Sequence, residues 1–426
     1  MTPTILGYAR SRIAAALEEV ERLDASEFPY QHSKDALGTV RGLLNNFRDF
    51  LDSLSDKNSA DVIENACSKA LAFLFDITPN LGFILRSTNV RNAFEIFNPL
   101  LRLARRALPR ENEESPNIRM ILSSEWDYSP YTDPQSKDLP NYLLIGLPAP
   151  ESSNPLVIPL AGHEFGHAIW LRKHVRVTLL PQVKTAVLDT IKADWNSFLS
   201  HFPYLAGMSQ DELTSNLFAL NAWSNAHVWA ECQAEETFCD CIGILLFGEA
   251  FFHAFAYLLS PRAGMRSVRY PNMLTRVKNM VSAASEYGIG HPSDFVATFG
   301  DDDASSQLIP GDQYQLSIAD SALKIVLPII IADARKTLAP EISESSRDRS
   351  EREAEIKRIL LRFKMVIPAE GCKRLSDILV AGWRGYHDVS MWSELAQVYS
   401  KREVVLKELL LKNIEVFEFE QIVGNK

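Results

Sequence analysis

Five consecutive residues, His163, Glu164, Phe165, Gly166 and His167, constrain this chain more than any other feature of its sequence. In an α-helix, residues four apart project from the same face, so the two imidazoles can bind one cation. Glu164 lies about 100° further round such a helix, close enough to reach a water molecule on that cation. The motif therefore predicts a helix with a zinc site, in which His163 and His167 are ligands and Glu164 is a general base.

The residues around the motif support a helix at this position. Residues 160–173 have the composition of a helix that Pro159 opens from its first turn. Further upstream, the apolar run YLLIGL at residues 142–147 lies between Pro140 and Pro148, and its short length favours a strand. The segment before it, residues 123–142, is rich in Pro, Ser, Asp and Tyr, which is typical of a loop.

Most of the remaining chain has apolar residues at helical spacing. Residues 5–108 show this pattern, for example at Ile13, Leu17 and Val20. Helices are also predicted at 183–198, at 224–246 with Gly248 as a stop, at 250–260 and at about 391–412. We predict a mainly α-helical protein with a small β-sheet. It has a helical N-terminal region (1–110), a core region that holds the motif (111–300) and a helical C-terminal region (301–426).

The charge of the chain and its cysteines indicate which binding partners and which cell compartment to expect. The 44 basic and 54 acidic residues are intermixed and give a net charge of -10, so nucleic acid is not an expected partner. Five cysteines do not form a disulfide framework, which favours the cytoplasm. The apolar residues 325–331 contain Pro328 and are far fewer than the roughly 20 needed to cross a bilayer, so we predict a buried segment and no membrane span.

A catalytic zinc ion needs a third protein ligand, since two would hold it weakly. Between His167 and residue 300, Glu236 is followed four residues later by Asp240 on a segment that is predicted to be helical. We predict that Glu236 is the third ligand. Asp240, one turn further, can accept a hydrogen bond from the non-ligating nitrogen of His163 and orient its ring.

Other side chains are alternatives for the third zinc ligand, and three more are candidates for a further role, that of oxyanion donor. Glu231, Glu235 and Glu249 are alternatives to Glu236, and Glu249 is the first of them because it lies four residues before His253. Cys232 and Cys239 fall near the same helix face, where buried packing is the more frequent role of cysteine. The donors that could stabilise the oxyanion of the transition state are Tyr270, His227 and His291.

The segments HEFGH and EETFCDCIG together resemble the gluzincin metallopeptidases, over about residues 140–280. The resemblance implies a zincin-like core with His163, His167 and Glu236 as zinc ligands, Glu164 as the base and Asp240 behind His163. HtpX-like members also carry an HP-x4-R-I signature after the third ligand. Here Tyr270-Pro271 and Arg276-Val277 have that spacing, which implies an active-site role for Arg276 and puts Tyr270 in place of the family's histidine.

We therefore predict a zinc metallopeptidase whose partner is a protein or peptide substrate. In such folds a short edge strand before the metal helix pairs with the extended substrate backbone, and residues 142–147 are the predicted strand. Two alternatives remain at this point. The chain could be a non-catalytic interaction module on a peptidase-like fold, or a zinc hydrolase of a non-peptide amide or ester.

Overall fold

Helices form most of the regular structure, and the strands of the described residues belong to one small sheet, as predicted. A computed structural model describes residues 5–55, 58–88, 94–108, 118–125, 131–133, 139, 141–151, 153–172, 175–260, 266–300, 308–392 and 402–424. The chain divides into two units. The first comprises Met1–Phe97 and Arg110–Ser153, and the second comprises Asn98–Pro109 and Asn154–Lys426.

Three helices of the first unit share one apolar core: α1 (Ile5–Asp24), α2 (Gln31–Ser53) and α3 (Ala60–Thr88). The helical spacing seen in the sequence is the buried face of α1, where Ile13, Leu17 and Val20 are all buried. Helix α4 (Phe94–Ala107) continues from this unit into the second. Burial of such a stripe supplies most of the stability of amphipathic helices like these.

The sheet of the first unit has three strands, β1 (Arg119–Glu125), β2 (Tyr131–Asp133) and β3 (Tyr142–Pro148). Their order is β1-β3-β2, with β1 parallel and β2 antiparallel to β3. In this register Leu144 lies opposite both Ile121 of β1 and Asp133 of β2. All seven residues of β3 are buried, which explains why its sequence is a continuous apolar run and does not alternate.

The predicted strand at residues 142–147 is confirmed, but its predicted role as an edge strand is wrong. β3 is the central strand, and both of its backbone edges are already paired. Strand β2 and the end of β1 lie in the segment predicted as a loop, because pairing with β3 outweighs the local preference of the Pro- and Ser-rich sequence. Residues 126–130, 134–138 and 140 of that predicted loop lie outside the described residues.

The second unit is helical in its described residues. Its α-helices are α5 (Ala161–Arg172), α6 (Val175–Ala193), α7 (Trp195–His201), α8 (Leu217–Phe247), α9 (Glu249–Leu259), α10 (Met273–Tyr287), α11 (Pro310–Thr337), α12 (Arg349–Lys364), α13 (Leu375–His387) and α14 (Arg402–Gly424). Short 3-10 helices connect them, including Pro155–Leu160 directly before α5. Helix α8 ends where predicted, at Gly248, which has a positive φ of 56°. The final helix starts later than predicted, and residues 393–401 lie outside the described part.

The two units differ from the three predicted regions, whose boundaries were near residues 110 and 300. The sheet belongs with the N-terminal helices because β1 packs against α2 and α3. Beyond residue 300, α11 packs against α6 and α8 and therefore belongs to the same unit as the HEFGH helix. Contacts between segments distant in sequence decide this grouping.

Among the described helices, α3 and α11 are long and apolar enough to cross a membrane by length and composition alone. Half of the most apolar stretch of α11 is buried inside the protein, and 39% of that of α3. The predicted buried segment at residues 325–331 lies within α11, where Val326, Ile330 and Ile331 are buried and Ile325 is exposed. Helix α11 therefore uses one apolar face for packing against its neighbours.

Helix α5 lies unusually close to α8 at two glycines one turn apart. A Cβ atom on Gly162 would lie 3.0 Å from the Cα of Gly243. A Cβ on Gly166 would lie 2.6 Å from the Cα of Cys239. Because Gly166 lies inside the HEFGH motif, this approach brings the motif directly against the helix that carries Glu236.

The substitution Gly166→Ala should lower the free energy of unfolding by about 1–3 kcal/mol, since the added methyl would overlap backbone of a second helix. Gly38→Ala is the control, because a Cβ there meets nothing within 4 Å in the middle of α2. The control should be neutral or stabilising by up to about 1 kcal/mol. Urea denaturation measures both, and an unchanged stability of Gly166→Ala would contradict the close approach of the helices.

Candidate metal centre

Both histidines of the motif are oriented by carboxylates on α8. The Nδ1 of His163 lies 2.9 Å from Oδ1 of Asp240, and the Nδ1 of His167 lies 2.8 Å from Oε1 of Glu235. A carboxylate accepts, so each Nδ1 carries the hydrogen, and the Nε2 atoms are left to face another group. The geometry brings Asp240 to the place where the sequence predicted it.

The group that both Nε2 atoms face is the carboxylate of Glu236. The Nε2 of His163 is 3.2 Å from Oε2 of Glu236, and the Nε2 of His167 is 3.9 Å from Oε1. Oε2 of Glu236 is buried and accepts no hydrogen bond from the described residues. The two imidazole nitrogens therefore face the two oxygens of one buried carboxylate, and together these side chains offer the donor types that catalytic zinc uses.

The electrostatics of this cluster favour positive charge between the three side chains. Burial by itself would lower the pKa of His163, but its hydrogen bond to Asp240 and the nearby carboxylate of Glu236 raise the pKa to about 10. Burial likewise opposes ionisation of Glu236, yet His163 and Arg276 keep the pKa of that carboxyl below its ordinary value. A carboxylate that stays ionised while buried is a suitable ligand for a metal ion.

Arg276 lies behind Asp240 and holds its carboxylate in place. Its Nε donates to Oδ2 of Asp240 at 2.7 Å and its second guanidinium nitrogen donates to Oδ1 at 2.8 Å. The Cζ of Arg276 also lies over the rings of Phe255 and Tyr270, 5.0 Å from each ring centroid. Although burial opposes it, Arg276 lowers the pKa of Asp240 to about 2. Arg276 thus acts on His163 through Asp240.

Glu164 is buried, with 5% of its surface exposed. Burial raises the pKa of its carboxyl, and the neighbouring His163 and His167 partly oppose that effect. A carboxyl with a raised pKa accepts a proton more readily at neutral pH, which is the property that a general base requires. Its electrostatic interaction with Glu236 places it in the same cluster.

Tyr270 is partly buried beside this cluster. Burial, with a further contribution from Glu236, raises the pKa of its hydroxyl to about 12, so the phenol keeps its proton and can donate. The other two predicted oxyanion donors are His227 and His291. The Nε2 of His227 lies 3.2 Å from Oε1 of Glu231 on the same helix, and the side chain of His291 is exposed. The structure therefore places Arg276 against Asp240 and Tyr270 against Arg276, the two residues that the resemblance to gluzincins singled out.

The alternative ligands have other partners. Glu231 pairs with His227, Glu235 with His167, and Glu249 with His253 and Arg384. Cys239 is different, because its sulfur and one nitrogen of each motif histidine lie within 4.8 Å of one another. Burial raises the pKa of the Cys239 thiol well above its ordinary value, but a bound metal ion deprotonates a coordinating thiol, so Cys239 is a second candidate for the third ligand.

Two features of the centre were not predicted from the sequence. Glu235 was considered as a ligand, but it orients His167 in the way that Asp240 orients His163. The sequence signal for this role was the position of Glu235 directly before the predicted ligand Glu236. The second feature is the role of Gly162 and Gly166, whose missing side chains allow α5 to reach α8. Comparisons with protein-family models, with curated proteins and with solved structures found no match to this chain.

Asp240→Asn should lower the free energy of unfolding at pH 7 by about 3–5 kcal/mol, because it leaves the buried Arg276 without its main counter-charge. The pKa of Asp240 is lowered from 3.8 to about 2. Its stabilising effect is therefore complete above pH 3.8 and is lost as the pH falls towards 2. Denaturant titrations across this range should show a steeper pH dependence in the wild type than in the variant, because other carboxyls with a lowered pKa, such as Glu249, titrate in both.

The matched control for this variant is Asp333→Asn, which breaks a surface pair with Lys336. Such pairs contribute about 0–1 kcal/mol, so the control should stay close to the wild type. Equal stability losses in the two variants would contradict a buried ion pair at Asp240.

Proposed function

We propose that this chain is a zinc metallopeptidase, in which His163, His167 and Glu236 bind the ion. One observation carries the proposal. Both imidazoles are fixed through Nδ1 by carboxylates, so that both Nε2 atoms face a buried carboxylate whose Oε2 has no hydrogen bond from the described residues. Orientation of histidine ligands by second carboxylates is a usual arrangement at zinc sites.

The chemistry of the donor set suits zinc. Nitrogen and oxygen donors in this number are the protein ligands of catalytic zinc ions, which leave one position open. When bound, zinc would supply a Lewis acid that polarises a carbonyl and lowers the pKa of water to roughly 7. Cys239 would remain a packing residue against Gly166.

Glu164 would move the proton during hydrolysis. Its buried carboxyl has a raised pKa and lies beside His163 and His167, so it would accept a proton from the attacking water and return it to the leaving amine. The Tyr270 hydroxyl would donate a hydrogen bond to the oxyanion, which its raised pKa of about 12 allows. Arg276 would keep Asp240 ionised and thereby keep His163 oriented.

The choice of peptide bonds as the substrate rests on the resemblance of HEFGH and EETFCDCIG to gluzincins. Glu236 and Asp240, one turn apart on α8, have the spacing of that family's third ligand and its supporting carboxylate. On this proposal the second unit contains a zincin-like core. The thiols of all five cysteines are free, which supports a cytoplasmic location.

Glu164→Gln should reduce kcat for peptide hydrolysis by about 10²–10⁴, because the amide cannot accept the proton. Zinc content should remain near one ion per chain, since Glu164 is not a ligand. Hydrolysis of a quenched fluorescent peptide library and metal analysis of the same samples measure the two quantities. Glu231→Gln, on α8 but paired with His227, is the control and should keep its activity. Unchanged hydrolysis in Glu164→Gln would contradict the proposal.

Two substitutions, Glu236→Gln and Cys239→Ala, test which of these two side chains is the third zinc ligand. Loss of one of three ligands should weaken zinc binding by at least about 10–100-fold in Glu236→Gln. Cys239→Ala should bind zinc as the wild type does, although its stability falls because a buried side chain is removed. Competition with a chromogenic chelator measures both affinities. The reverse order of affinities would make the centre a His-His-Cys site.

A further inference from the structure

A short turn directly before α10, residues 266–272, is fixed by its own hydrogen bonds and by α11. The amide of Tyr270 donates to the carbonyl of Ser267 at 3.2 Å, which closes the turn. The guanidinium of Arg266 donates to the carbonyl of Tyr270 at 3.3 Å. The same guanidinium forms a two-point ion pair with Asp320 of α11. The charge of Arg266 is therefore balanced, and this side chain anchors the turn.

The turn lies against the part of α8 that carries the predicted third ligand. The Nε2 of Gln233, three residues before Glu236, donates to the carbonyl of Val268 at 3.5 Å. The ring centroid of Tyr270 lies 5.0 Å from the Cζ of Arg276, which belongs to the metal centre. The residue between Val268 and Tyr270 is thus held between two contacts with the surroundings of that centre.

This residue is Arg269, and its guanidinium has no counter-charge. The side chain is exposed, and it forms no ion pair with any of the described residues. The side chains of Arg266 and Arg276, by contrast, are buried and paired with carboxylates. The charge of Arg269 acts on the thiol of Cys232, which lies one turn before Glu236 on α8. An unpaired cation therefore lies about one helical turn from the predicted ligand.

This spacing suits a substrate group that is close to the scissile bond. The four residues from Cys232 to Glu236 span about 6 Å along α8. Successive residues of an extended peptide are about 3.3–3.6 Å apart. A group one or two residues from the scissile carbonyl is therefore at a comparable distance. The group that a guanidinium binds best is a carboxylate, which accepts two parallel hydrogen bonds from it.

We propose that Arg269 binds a carboxylate of the peptide substrate, one or two residues from the bond that is cleaved. This inference rests on the proposed function, because it takes the metal centre as the place of cleavage. The carboxylate is either the C-terminal one or the side chain of an acidic residue, since both present the same chemistry to the guanidinium. Arg269 is then a specificity-determining residue and takes no part in the bond cleavage itself.

The carboxylates of the metal centre do not occupy Arg269. Asp240 pairs with Arg276, and Glu235 lies 2.8 Å from the Nδ1 of His167, from which it accepts a hydrogen bond. The charge of the third ligand would be balanced by the bound ion. The guanidinium of Arg269 is therefore available to an anionic group that arrives from solution.

Fluorescence anisotropy with the Glu164→Gln variant in the presence of zinc measures peptide binding without turnover. The probes are dye-labelled peptide pools of three kinds: neutral peptides with an amidated C-terminus, the same peptides with a free C-terminal carboxylate, and amidated peptides with one internal glutamate. At least one of the two carboxylate pools should bind more tightly than the neutral pool. The pool that does so identifies the source of the carboxylate. Equal affinity for all three pools, or no binding of any pool, would overturn the proposal.

In the same background, Arg269→Gln should weaken binding of the preferred carboxylate pool by about tenfold and leave the neutral pool unchanged. Arg269→Lys should restore part of the preference, because it keeps the charge but loses the planar fork. Arg269→Glu should reverse the preference towards peptides that carry lysine in place of glutamate. A merely structural role for Arg269 would weaken binding of all pools alike, and that result would overturn the proposal.

The matched control is Arg349→Gln. Arg349 is an exposed arginine at the start of α12, in the same unit but on an element that carries no residue of the metal centre. Its substitution removes the same charge and should leave the affinities for all three pools unchanged. An equal loss of affinity in this control would mean that the net charge of the chain, and not Arg269, selects the carboxylate.

Hydrolysis by the protein with Glu164 intact separates this inference from the proposed function. Arg269→Gln should raise KM for the preferred carboxylate pool by about tenfold and change kcat by less than about twofold, because the contact is the same in the ground and transition states. Hydrolysis without any carboxylate preference would overturn the role of Arg269 and leave the peptidase intact. Carboxylate binding through Arg269 without hydrolysis of any pool would instead overturn the peptidase.

Discussion

The close approach of α5 to α8 is the contact on which the rest of the site depends. Gly162 and Gly166 have no side chains on the face where α5 meets α8, and methyl groups at either position would overlap Gly243 or Cys239. Helices that pack without such glycines are about 8–10 Å apart. Here the contact at the two glycines allows His163 and His167 to reach carboxylates on α8 by direct hydrogen bonds.

The second constraint is the balance of buried charge. Glu164, Glu236 and Asp240 are all buried, and Arg276 is the buried cation that contacts this group. Isolated buried carboxylates are costly, so the cluster is stable only with compensating positive charge. Arg276 compensates Asp240, whereas the space between His163 and Glu236 still favours a cation, which is why the pKa of His163 rises to about 10. Either a protonated His163 or a bound cation supplies the positive charge that this balance requires.

Much of the helical architecture could be predicted from local sequence. The apolar spacing of α1, the short length of β3 and the stop at Gly248 are properties of neighbouring residues, and the structure has all three. The strands β1 and β2 were not predicted, because their stability comes from pairing with β3 and not from their own composition. For the same reason the sequence could not show that β3 is central, with β1 along its whole length on one side and β2 against residues 144–146 on the other.

The sequence by itself determined that two histidines and a glutamate lie on one helix, since the period of the α-helix fixes residues four apart on one face. It also named Glu236 and Asp240, because they repeat that spacing on a second helix. Only the tertiary structure decided which carboxylate faces which nitrogen. Glu235 and Glu236 are neighbours in sequence, yet one orients His167 and the other faces both Nε2 atoms. That difference depends on how α5 lies across α8, which is set by contacts between residues about 70 positions apart.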